Sequence, residues 1–362
     1  MGASSCAHRM SLRSFNLAIA PFTAAKPRGL PLIISPEKCQ VLIDRLDLQS
    51  KYPKGKTDVV EVFSSNPLLG SMINMEIQPR RHYLVEHARN QLKTWKQMVD
   101  TLNKTTGNQE HYQIYHADAY QWPTYTNLLE NEIKPQMQDR SRPHDELLLL
   151  ANLSLPTFGE LLWAQWLQCG IYRNWLHRYG RVRMLLLVPE LSAQKFTSYP
   201  YSLRRNRTTV KFEMYASLKL HAITGNPKKM TSFLYPGEGY DPRRILDDQP
   251  IILEPADVSL PKAQLAVIEM IPHDVDPHLD HELYSHILQQ FFSSRDQQLV
   301  DILPRVAPGA EDLAPQLGEL AYLTARDLSL EQWQNVFGVF DLWPFKPSDL
   351  DFLDLEISDR RT

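Results

Sequence analysis

Two carboxylates stand where a nucleoside cofactor would need them. Glu86 closes the run His82–Glu86 (HYLVE), 21 residues after Ser65, and Asp118 follows the run His111–His116 (HYQIYH) in the same way. In an open parallel sheet a ligand rests beyond the carboxyl ends of the strands. A glycine-rich first turn lets the backbone approach it, and an acid about 20 residues further on accepts from a ribose hydroxyl. Here that turn reads Ser64-Ser65-Asn66-Pro67-Leu68-Leu69-Gly70. Side chains occupy the space a cofactor needs, and Pro67 removes a backbone donor. The frame of a nucleoside site is present without its glycine turn. Either acid could instead cap the helix that follows it.

A second chemistry is suggested by charge and aromatic rings. Between Ile171 and Lys211 lie Arg173, Arg178, Arg181, Arg183, Lys195, Arg204, Arg205, Arg207 and Lys211 against the single acid Glu190, a local balance of +8. In a chain of formal charge −3 this concentration points to a phosphate-binding face, each neutralised phosphate contributing through counterion release. Tyr120, Trp122 and Tyr125 follow the third apolar run, interleaved with small and polar residues. At least one of them could stack an unpaired base. The segment His273–His281 (HDVDPHLDH) is rich in ligand-type residues, but a proline-containing linker does not hold the fixed spacing a zinc site requires, so no metal is expected. Nucleophile-elbow, P-loop and zinc-hydrolase motifs are absent.

Parallel strands must position these groups. Short apolar runs occur at Asp58–Phe63, His82–Glu86, His111–His116, Glu146–Ala151, Arg183–Val188 and Phe212–Leu220, with a seventh at Gln264–Met270. Arg89–Leu102 and Phe158–Arg178 have helical spacing between them. Unbroken stretches such as Leu147–Leu150 predict strands covered on both faces, and the alternation predicts a doubly wound α/β sheet. A domain boundary is expected near Pro272, with amphipathic segments at Glu282–Phe292 and Leu330–Phe340 and an acidic tail from Asp341. Pro236–Pro250 reads as an exposed loop.

The 362 residues, 43% of them hydrophobic, exclude disordered and fibrous classes. Cys6, Cys39 and Cys169 show no paired spacing, so neither a disulfide framework nor a cysteine zinc site is expected. The longest apolar runs fall far short of the roughly 20 residues of a membrane span, and no membrane partner is expected. The first 36 residues carry basic and serine residues but no acid, which is the composition of a mitochondrial presequence, placed at 1–30.

From about Pro31 onward the chain resembles the mitochondrial transcription factor B family of the rRNA adenine dimethyltransferase superfamily. The resemblance rests on WLQCGIYRNWLHRYGRVRMLLLVP (Trp166–Pro189), DAYQWPTYTNLL (Asp118–Leu129) and LWPFKPSDLDFLD (Leu342–Asp354), in that family's fungal members above all. It implies a Rossmann-like S-adenosylmethionine-dependent methyltransferase fold over 31–272 and a small α-helical C-terminal domain over 273–362. Glu86, Asp118 and Asn152 match cofactor-contacting positions, whereas Ser65 and Pro67 fall where glycines are expected. The superfamily's Asn-Leu-Pro-aromatic tetrapeptide reads Asn152-Leu153-Ser154-Leu155 here, and Leu155 has no π-face to hold a flipped base. The resemblance therefore implies a fold reused for binding, with no catalytic residue and no cofactor. The expected function is mitochondrial transcription initiation in the matrix, partnered by a single-subunit RNA polymerase. Tyr120 and Trp122 would stack the melted non-template strand, and Arg173, Arg178, Arg181, Lys195, Arg204, Arg205 and Arg207 would contact phosphates. The alternative is an S-adenosylmethionine-dependent adenine N6-dimethyltransferase of small-subunit rRNA, and a third reading is an assembly factor that binds that rRNA without methylating it.

Overall fold

The computed structural model describes residues 30–64, 68–106, 112–225 and 239–347. The presequence at 1–30 is thus almost wholly outside the described residues, as are Ser65, Asn66, Pro67 and the tail beyond 347. The first of two compact units holds 1–193, 215–230 and 245–274, and the second 194–214, 231–244 and 275–362.

The first unit is built on one eight-stranded sheet in the order β3-β2-β1-β4-β5-β8-β6-β7. In chain order the main helices and strands up to Pro272 are α1 (Pro36–Leu46), β1 (Asp58–Val62), α2 (Leu68–Ile77), β2 (Arg81–Val85), α3 (Arg89–Thr106), β3 (Tyr112–Tyr115), α4 (Trp122–Asn127), β4 (Pro143–Asn152), α5 (Pro156–Ile171), β5 (Arg181–Pro189) and α6 (Glu190–Phe196). There follow α7 (Arg207–Tyr215, in the second unit but for its last residue), β6 (Ala216–Thr224), α8 (Pro242–Asp248), β7 (Ile251–Leu253) and β8 (Leu265–Pro272). Strands β1 to β5 run parallel, and β8 lies antiparallel between β5 and β6. This is the Rossmann-like methyltransferase arrangement expected from the sequence. Every residue of β1 is buried, as a parallel strand covered on both faces requires. Helix α1 begins where Ser35 accepts from the Lys38 amide and Pro36 takes the first turn.

Three sequence expectations are corrected. Phe212–Leu220 is not one strand. Asn206 Oδ1 accepts from the amides of Thr208 and Thr209, so helix α7 starts there and β6 begins only at Ala216. The part of Pro236–Pro250 that is described holds α8 and a buried Tyr240. Its buried Asp248 accepts from the Leu220 amide, which ties the segment to the sheet. Finally, the helical stretch Phe158–Arg178 stops at Ile171, because Arg173 (φ 51°) and Trp175 (φ 53°) turn left-handed and a short 3-10 turn, Trp175–Tyr179, takes over.

The second unit encloses its own core beneath α9 (His281–Ser293), α10 (Leu299–Val306) and α11 (Leu330–Asp341). Phe291, Trp333, Phe337 and Phe340 fill it. Ser329 and Gln332 form a reciprocal capping box at the start of α11, and Asp280 caps α9. Among the described residues no helix is long and apolar enough to cross a membrane.

Candidate nucleic-acid interface

The strand order reverses between β1 and β4, so the ligand crevice of this fold lies at their carboxyl ends. That crevice is narrow. The cavity lined by Glu61, Val62, Ser64, Gly70, Ala151 and Asn152 has a volume of about 40 Å³, room for a water or two. Leu32 and Ile33, ahead of α1, also line it. The Asn152 amide donates to the Pro31 carbonyl (3.2 Å) while its oxygen accepts from the Ser154 amide (3.1 Å). Glu86 accepts from the amide of Ala88 (2.8 Å), and Asp118 from that of Tyr120 (3.0 Å). All three cofactor-type side chains therefore make local backbone bonds. Leu155 lies 40% exposed with nothing aromatic beside it in the tetrapeptide.

A buried polar cluster, which the sequence did not disclose, fills the space behind the crevice. Glu61, in the middle of β1, accepts from Tyr112 OH at 2.8 Å and lies 2.9 Å from His82 Nε2. Asn74 is 3.2 Å from the other ring nitrogen. Burial holds the His82 pKa down against the pull of Glu61, so the imidazole is neutral and donates to the carboxylate. A Cβ on Gly70 would sit 2.3 Å from the Glu61 carboxylate, so any larger residue there displaces that carboxylate. Phe63, immediately after β1, keeps a left-handed backbone (φ 57°) that suits glycine, and its ring lies 4.6 Å from that of Tyr120. Among the described residues the space is about 40 Å³, against about 300–1,000 Å³ for ordinary small-molecule sites, and Ser65, Asn66 and Pro67 of the first turn lie outside those residues.

A roomier cavity opens beside α4. Its volume is about 240 Å³, and Trp122, Thr126, Leu129, Arg173, Trp175 and Arg178 line it. Trp122 opens α4 just ahead of Pro123 and is 45% exposed, and Tyr120 is 46% exposed. Tyr125 is buried and donates to the Ala119 carbonyl at 2.8 Å, so it is a support and not a stacking platform. Trp175 stacks on Trp166 at 5.1 Å and meets Tyr125 edge-on at 4.9 Å. It is both buried and part of the cavity wall. Arg178 pairs with Glu130 (3.1 Å), and Arg173 with Asp274 (3.3 Å). Both pairs are partly exposed and worth little energetically.

The remaining basic residues divide. Arg181 directs its guanidinium at the carbonyls of Pro272, Arg140 and Ser141. Arg205, expected to touch phosphate, has no exposed surface. It clamps Glu213 with two bonds of 2.7 Å and donates to the Leu328 carbonyl, because a guanidinium inside a protein must be paired. Lys195 and Arg204 are half-buried, and Arg207 is exposed with Gln289 at 3.0 Å. Lys195, Arg204, Arg205 and Arg207 all belong to the second unit, whereas Arg173, Arg178 and Arg181 belong to the first. In His273–His281, Asp276 and Asp280 accept from the amides of His278 and Leu283, and among the described residues no group of acids, histidines or cysteines converges to hold a metal.

The ribosomal RNA adenine dimethylase family model matches residues 32–341. Mitochondrial transcription factor 1 of Lachancea kluyveri is 28% identical over 323 residues, covering 87% of this chain and 89% of that protein. The protein of the same name from Saccharomyces cerevisiae is 26% identical over 337 residues, covering 90% and 93%. Among solved structures, a dimethyladenosine transferase from Plasmodium falciparum superposes with a TM-score of 0.51 at 11% identity, covering 86% of this chain and 97% of that one.

Proposed function

The chain belongs to the ribosomal RNA adenine dimethylase family, and from that premise we propose that it is a mitochondrial transcription initiation factor that opens promoter DNA with a single-subunit RNA polymerase. It performs no covalent step. In the matrix, delivered by a presequence within residues 1–30, it binds the polymerase and holds the separated non-template strand. Trp122 and Tyr120 stack unpaired bases, and Arg173 and Arg178 neutralise the phosphates beside them. Trapping shifts the duplex-to-bubble equilibrium by the difference in affinity for the two states.

The observation that carries this reading is the cavity lined by the exposed Trp122 together with Arg173 and Arg178, whose ion pairs are partly exposed. Similarity along nine-tenths of the chain to proteins named mitochondrial transcription factor 1 supports the same reading. The test is promoter melting by a fluorescent base analogue in the non-template strand, with polymerase present. Stacking is worth about 1–3 kcal/mol per base, so Tyr120→Ala with Trp122→Ala should weaken bubble formation by about fivefold to a hundredfold or more while leaving duplex binding near wild type. A double variant that melts promoters as well as wild type overturns the stacking role.

A further inference from the structure

A second large cavity lies at the opposite end of the sheet, where β1, β4 and β5 begin. Its volume is about 500 Å³, and its wall includes Ser50, Lys51, Tyr52, Arg142, His144 and Arg183. All of these belong to the first unit. Three are cations. Arg142 is exposed and pairs with Asp145 at 2.8 Å. Lys51 is partly exposed, donates to the Leu46 carbonyl at 2.6 Å and lies 3.9 Å from Glu269. Arg183 is 6% exposed, stacks its guanidinium over the Tyr52 ring at 5.6 Å, and lies 3.2 Å from Glu269.

Two buried groups there, Arg183 Nη1 and Tyr52 OH, lack a hydrogen-bond partner. Glu269 is shared by Arg183, Lys51 and His221. Arg183 Nε and Glu269 Oε1 stand 3.2 Å apart without hydrogen-bond alignment. Leaving such buried donors unbonded is costly, and a guanidinium is shaped to bond two oxygens of one anion. Burial holds the Lys51 ammonium below its usual pKa. Glu269 opposes that, and Arg183 adds to it. An entering anion supplies the missing acceptors and offsets the mutual repulsion of Lys51 and Arg183.

We propose that this cavity binds a phosphate-bearing anion through Lys51, Arg142 and Arg183. The site is separate from the aromatic cavity beside α4 and does not depend on the promoter-opening reading. The anion is either free in solution or a backbone phosphate of single-stranded nucleic acid.

Calorimetric titration of the full chain with inorganic pyrophosphate tests this. Wild type should bind, and Lys51→Met and Arg142→Ala, both at partly or largely exposed positions, should each weaken binding by about tenfold or more. Arg183→Lys keeps the charge but loses the fork and should weaken it as well. Circular dichroism melts of each variant separate lost binding from lost folding. A competing single-stranded oligonucleotide that displaces pyrophosphate identifies a backbone phosphate as the ligand, and one that does not identifies a free anion. Absence of pyrophosphate binding to wild type, or equal binding by folded Lys51→Met and Arg142→Ala, overturns the proposal.

Discussion

Mild acid should loosen the wall of the aromatic cavity through one histidine. His177 lies in the 3-10 turn that carries Trp175 and Arg178, has no exposed surface, and meets no partner in hydrogen-bonding geometry at either ring nitrogen. Burial first and the nearby Arg140 guanidinium second depress its pKa from 6.5 to about 3, against a weaker opposing pull from the Gly180 backbone. A depressed histidine pKa means that the unfolded chain takes the proton first. Stability is therefore intact above pH 6.5 and falls as pH drops toward 3, by up to about 1.4 kcal/mol per pH unit. Between pH 7.5 and 5.0 the loss comes to about 2 kcal/mol, roughly a thirtyfold change in the folding equilibrium. His177→Leu removes this dependence. It also removes two unpaired buried nitrogens, so at pH 7.5 it should be neutral or stabilising by about 1 kcal/mol. Guanidinium unfolding of both proteins at the two pH values isolates the effect, because the buried His82 and His144, also depressed by burial, contribute equally to each. If both proteins lose the same stability between pH 7.5 and 5.0, the assignment of His177 as a neutral interior group is wrong.

Other perturbations probe the packing that shapes the two crevices. Glu61→Leu and Tyr112→Phe remove opposite ends of a 2.8 Å buried bond, and a double-mutant cycle by chemical denaturation should give a coupling of about 1.5–3 kcal/mol. A coupling near zero would mean that the cluster behind the crevice is not energetically joined. Gly159→Ala would place a Cβ 1.8 Å from the Leu153 carbonyl oxygen, forcing α5 away from the end of β4 at a cost of about 3 kcal/mol or more. Gly338→Ala meets nothing within 4 Å in helix α11 and should stabilise the second unit by about 0.5–1 kcal/mol. Differential scanning calorimetry of the two glycine variants reads both signs.

The sheet was legible because its central strands are short unbroken apolar runs bounded by turn residues. The segment after Arg207 was not, since KFEMYASLKL satisfies both periods and only the Asn206 cap selects a helix for its first half. Helix α8 was hidden by flanking prolines, and its role depends on a bond from Asp248 to a strand distant in sequence. For the site, position along the chain placed Glu86, Asp118 and Asn152 after their strands, but only coordinates show that each side chain bonds to backbone. Counting charges found the basic segment without distinguishing Arg178, which faces the cavity, from Arg205, which is buried on Glu213. Glu61 carried no signal, because an acid inside an apolar strand is read only once His82 and Tyr112 stand beside it.

The most direct test of promoter opening is a paired run-off transcription assay with the cognate mitochondrial polymerase, on a fully duplex promoter and on the same promoter melted in advance around the start site. The protein should be required on the duplex and largely dispensable on the bubble, with the Tyr120→Ala, Trp122→Ala double variant failing on the duplex alone. Equal transcription with and without the protein on both templates would contradict the account, and methyl transfer to small-subunit rRNA from labelled S-adenosylmethionine would then identify the chain as an enzyme.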